Sequence, residues 1–118
     1  MCFGWGKAVW SWLSAFFVTQ LVEVPIYHRA APTRWGSKRL YVAFGASSLT
    51  HPIVFFVFPQ IAFENYWTMV SAAEAFAVIT EAAYLSRFGV VRPMTISLCA
   101  NAASLGVGLL LRHWTGFP

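Results

Sequence analysis

Apolar residues fall into four long runs along the chain, approximately residues 8–27, 40–58, 66–88 and 94–111, separated by short connections that hold half of the prolines and most of the basic residues. A run of about 20 residues, at about 1.5 Å per residue of helix, matches the hydrocarbon thickness of a bilayer. The pattern therefore predicts an all-α membrane protein, a four-transmembrane-helix bundle forming one domain over residues 1–118, with no room for a soluble domain beside it.

The polar positions inside these runs are more informative than the apolar ones. The third run, YWTMVSAAEAFAVITEAAYLSRF, carries Glu74 and Glu81, two helical turns apart and so on one face. Its alanines would let neighbouring helices approach closely. In the first run Gln20, Glu23 and Tyr27 form a single polar stripe, and Pro25 predicts a kink beside Glu23 by freeing the carbonyl of Leu21. The second run places Ser47, Thr50 and His51 near its middle, with Pro52 removing the partner of the Ser48 carbonyl. In the fourth, Ser97, Asn101, Ser104 and Gly108 recur at helical spacing, the pattern of a small and polar packing face. Tyr27 and Tyr84 read as interfacial anchors, and the Phe residues of 55–58 as lipid-facing or core.

Composition agrees with the pattern. The 118 residues are 58% hydrophobic and only 10% charged, against about 25% charged in an ordinary soluble domain. The net charge of +4 does not point to nucleic acid, because the bases flank apolar spans instead of clustering on a solvated face. Of the eight Lys and Arg, six (Arg29, Arg34, Lys38, Arg39, Arg87 and Arg92) fall in the connections after the first and third runs. The positive-inside rule then places both termini outside and these loops in the cytoplasm, as in a multi-pass protein of a bacterial-type inner membrane. Trp5, Trp10, Trp12, Trp67 and Trp114 would form an outer belt, with Trp35 at the inner interface.

The first run lacks a cleavage-type site after Tyr27 and is expected to stay as a helix. Cys2 and Cys99 differ too much in depth to bridge, and no cofactor motif is evident.

Depth within the spans sorts the polar groups into layers. Glu23, Glu81 and Asn101 lie about four to seven residues from the cytoplasmic ends, and His51 and Glu74 about eleven to fourteen, near the midplane. A membrane carboxyl costs roughly 2.5–3.5 kcal/mol on insertion scales, so the groups should face a shared interior. One reading makes Glu23, His51, Glu74, Glu81 and Asn101 a proton or small-cation site, since burial disfavours the charged forms of Glu and His while their proximity opposes that. A second makes them packing groups of a structural or assembly subunit. A metal held by His51, Glu74 and Glu81 is weaker, because no Glu-x-x-His pair is present. An intramembrane hydrolase using Ser48 and His51 is weaker still, since no oxyanion donor can be identified. The expected surroundings are the lipid bilayer and either further copies of this chain or a larger membrane complex.

Overall fold

The computed structural model describes residues 3–61 and 63–116, and the side chains from residue 10 onward apart from those of 11 and 59. Cys2 lies outside the described residues, and the side chains of Trp5 and Lys7 are not described. Four helices make up the described part: α1 (Phe3–Ala30), α2 (Arg39–Pro52), α3 (Tyr66–Arg87) and α4 (Pro93–Thr115). They form a bundle 49 Å long and about 27 Å across.

Their contacts fix the topology. α1 packs on α2 and α4, and α3 packs on α2 and α4, a four-sided ring in chain order. Glu23 meets Ser47 near mid-bundle, whereas Ala31 meets Arg39, so α1 and α2 run antiparallel. Val42 pairs with Tyr84 and Thr50 with Glu81, Tyr66 with Arg112 and Glu81 with Asn101, so α2, α3 and α4 alternate in the same way. Short connections between consecutive helices favour this up-down-up-down course.

Three stretches of the described residues, Thr33–Val57, Tyr66–Arg87 and Pro93–Thr115, are long and apolar enough to cross a membrane. α1 is 28 residues long, and the side chains of its first turns lie outside those described. It stays helical through Pro25. At Pro52 the expected disturbance does occur: the helix widens into a π turn over Ile53–Val57, followed by a 3₁₀ turn over Phe58–Gln60. The missing N–H and the ring of a proline disrupt the preceding ladder, and a wider turn is one way to restore it.

Helix ends follow their local chemistry. Asn65 caps α3, its Oδ1 accepting from the Thr68 backbone N–H at 2.9 Å. α3 ends in a Schellman turn, with Gly89 N–H donating to the Ser86 carbonyl and Val90 N–H to that of Leu85. Gly89 takes φ 79°, and Val90 and Leu85 are both buried in the same apolar cluster. Pro93 opens α4, where its lack of an N–H costs nothing.

The two basic connections meet at one end of the bundle. Trp35 Nε1 donates to the Phe88 carbonyl at 2.9 Å, and the Arg34 guanidinium lies against Gly89. Beneath these loops Tyr27, Ala43, Ala46, Leu85, Val90 and Ala100 form the packed core. Trp10, Trp67 and Trp114 are exposed toward the opposite end. Trp12, expected beside them in the belt, instead turns against Phe16, Phe56 and His51.

The Gly89→Ala variant should lose about 1–2 kcal/mol of stability, because an L side chain at this positive φ strains the turn that ends α3. Reversible unfolding in mixed micelles, compared with wild type, measures it.

Candidate functional site

Glu81 is the point where all four helices meet. From α3 its carboxyl accepts hydrogen bonds from Tyr27 on α1, Thr50 on α2 and Asn101 on α4, the last at 3.0 Å. Glu23, one turn from Tyr27 on α1, accepts from Ser47 on α2 at 3.1 Å and from Ser104 on α4. Both acids are almost completely enclosed, at 2% exposure for Glu23 and 1% for Glu81. Their partners are hydroxyls and one amide. None is a base.

Asn101 and Ser104 join the two carboxyls. Asn101 Nδ2 donates to Glu81 and to the Ser97 carbonyl at 2.9 Å, and it lies 3.3 Å from the Tyr27 hydroxyl. Ser104 Oγ reaches both Glu23 and the Asn101 carbonyl, the latter at 3.1 Å, and its single hydrogen serves one acceptor at a time. Ser97 fixes α4 against α3 by donating to the Val78 carbonyl at 2.8 Å.

Above this network, on the side away from the basic loops, lies a cavity of about 250 Å³ whose lining includes Glu23, Glu81, Thr50, His51 and Glu74. A wider cavity of about 710 Å³ continues toward the end of the bundle and shares Phe55, Tyr66, Glu74, Leu105 and Arg112 with the first. Together they make a vestibule with the Glu23–Glu81 network at its floor and Arg112 near its rim. The Arg112 guanidinium donates to the Tyr66 hydroxyl at 3.0 Å and lies over that ring. Toward the opposite end the interior is packed by the apolar cluster around Tyr27.

Comparison with protein-family models, with curated proteins and with solved structures returns no match.

The residues singled out from the sequence divide into two groups. Glu23, Glu81 and Asn101 come together. His51 and Glu74 line the cavity above them but form no hydrogen bond with each other. His51 is packed against Phe16 and Phe55, ring centroids 5.3 and 6.3 Å away, and its Nδ1 has no partner among the described residues. The metal reading for His51, Glu74 and Glu81 is not supported, because the described residues include no group of three His, Cys, Asp or Glu able to hold an ion. Cys99 is free and exposed.

Tyr27 is the main correction. It is fully buried, not an interfacial anchor, and donates to Glu81 from one turn below Glu23. The signal was already present in its place on the stripe with Gln20 and Glu23, although the Gln20 amide itself finds no partner among the described residues. Tyr84 binds the Val42 carbonyl at 3.1 Å, lying so close to Gly45 that any Cβ there would collide with its hydroxyl. Gly108 was expected at a tight helix contact, yet a Cβ built on it meets nothing within 4 Å, and it lines the cavity. Phe55, Phe56 and Phe58 likewise line the vestibule.

Tyr27→Phe and Thr50→Val each remove one donor from Glu81 and should destabilise the bundle by about 0.5–1.5 kcal/mol. Because both act through the same carboxyl, double-mutant cycles with Glu81→Gln should be non-additive by roughly 0.5 kcal/mol or more, measured by unfolding in mixed micelles.

Proposed function

We propose that this chain is a small polytopic membrane protein that binds and releases protons, or a small cation in their place, at the Glu23–Glu81 network, as a transporter or a transport subunit. The observation that carries the reading is the kind of partner these acids have. A carboxyl held by Arg or Lys is locked in its ionised form. A carboxyl bonded to hydroxyls is not, because Ser47, Thr50, Tyr27 and Ser104 can each donate to a carboxylate or turn to accept from a carboxylic acid. Both protonation states are thus accommodated without breaking the bundle.

Access supports the same reading. The vestibule leads to the acids from one end, and toward the other the interior is packed by the apolar cluster around Tyr27. Under the positive-inside rule the open end faces outward, both termini lie outside, and all four helices cross the membrane. A one-ended path suits a binding step that precedes a rearrangement. A homo-oligomer or a larger membrane complex would supply a second half to rock against.

Packing alone is a poor account of these groups. Intramembrane hydrogen bonds average only about 0.6 kcal/mol each in double-mutant cycles, so three of them to Glu81 return no more than the insertion cost of the acid, roughly 2.5–3.5 kcal/mol.

The test is infrared difference spectroscopy of the protein in lipid across about pH 5 to 9, with Glu23→Gln, Glu74→Gln and Glu81→Gln beside wild type. A protonated-carboxyl band should titrate in wild type and disappear in Glu23→Gln or Glu81→Gln, with assembly unchanged. If no carboxyl titrates in that window, or if the variants lose assembly while wild type shows no titrating band, the groups serve packing and the proposal is wrong.

A further inference from the structure

We infer that the outer vestibule is a binding site for an amphipathic organic monocation, its ammonium head placed against Glu74 and its apolar body against Phe55, Phe56 and Met69. The inference deepens the preceding proposal and rests on its reading of the vestibule as the working site.

A cavity of about 710 Å³ lies within the range of about 300–1,000 Å³ that holds organic ligands, and it is far larger than a proton or a bare ion requires. The walls are apolar: Phe55, Phe56, Phe58, Met69 and Val70 present rings and aliphatic surface. Such a wall has no use in conducting an ion, but it would cover a hydrocarbon body.

Of the interior acids, Glu74 is the one left available. Glu23 and Glu81 already accept two and three hydrogen bonds. Glu74 makes none among the described residues and is the acid that lines both cavities, at the boundary between apolar wall and polar floor. It is half-buried, and no protein donor among the described residues reaches its carboxyl. A charged donor carried by a ligand completes it.

Arg112, the base lining both cavities, is engaged with Tyr66 near the rim, both through its hydrogen bond and over the ring. It leaves the interior acid uncompensated. An entering cation passes this charge to reach Glu74, which disfavours inorganic ions without apolar surface to bury and favours amphiphiles whose body gains from desolvation.

The experiment compares two probes that differ in charge at equal chain length. Isotopically labelled n-octylammonium is equilibrated with the protein in phosphatidylcholine nanodiscs, and binding to empty nanodiscs is subtracted. Saturable binding is expected, displaced by unlabelled n-octylammonium and at least about tenfold less well by n-octanol, because truncating one side of an enclosed charge pair is costly. Glu74→Gln should weaken it by a similar factor, while Glu64→Gln, outside the cavity, should leave it unchanged. The inference is overturned if no saturable component exists, if n-octanol competes equally, which would mean that the cavity only takes up apolar chains, or if Glu74→Gln binds as well as wild type. The wild-type competition needs no variant, so a poorly folding Glu74→Gln does not remove the test. Failure here with a titrating Glu23 or Glu81 band leaves proton exchange standing. Binding with no titrating carboxyl sinks the proton reading instead.

Discussion

The bundle is organised around the need to satisfy one buried carboxyl. Glu81 sits about two turns before the C-terminal end of α3, and a carboxyl in an apolar interior is tolerated when donors reach it. One donor comes from each of the other three helices, Tyr27, Thr50 and Asn101. This fixes the rotation of every helix about its axis, because turning any of them by one residue would withdraw its donor. It also fixes their relative heights. Apolar packing alone is tolerant of such shifts in a membrane, where lipid competes on equal terms with side chains.

From that node the molecule divides into two halves of different character. Toward the basic loops the small residues Ala43, Ala46 and Ala100 allow close approach, Leu85 and Val90 fill the space between, and the Schellman turn at Gly89 closes α3 over them. Toward the other end the side chains do not fill the interior. The π turn after Pro52 widens α2, Gly108 leaves open space on α4, and Phe55 and Phe56 line a vestibule. The closed half holds the helices in register while the open half gives access to the acids. This division of labour lets a chain of 118 residues carry an unfilled interior.

The polar groups are of two kinds, and the difference matters for mechanism. Around Glu23 and Glu81 every partner is neutral, and most are hydroxyls able to reverse the direction of a hydrogen bond. Glu74 and His51 lie above them without such partners, His51 enclosed by aromatic rings and Glu74 facing the vestibule. The floor is complete within the protein. The level above it is not, and so a ligand would be recognised there.

Much of this was legible in the sequence for one reason: period and length are local. Runs of about 20 apolar residues, prolines and basic loops specified four helices, their boundaries to within a few residues and the end where the bases gather. Depth along each helix also placed Glu23, Glu81 and Asn101 at one level, because rise per residue is fixed. Rotation is not local. The sequence put Tyr27 on a polar stripe with Gln20 and Glu23 but could not say that its hydroxyl crosses to α3, while Gln20 turns elsewhere. It put His51 and Glu74 at one height but could not say that His51 would pack against Phe16 and Phe55 and form no hydrogen bond with the acid. Ser104 and Gly108 share a face in the sequence, yet one binds a carboxylate and the other borders a void. Which side chains meet depends on how four helices turn about their axes, and that is settled by all of their contacts together.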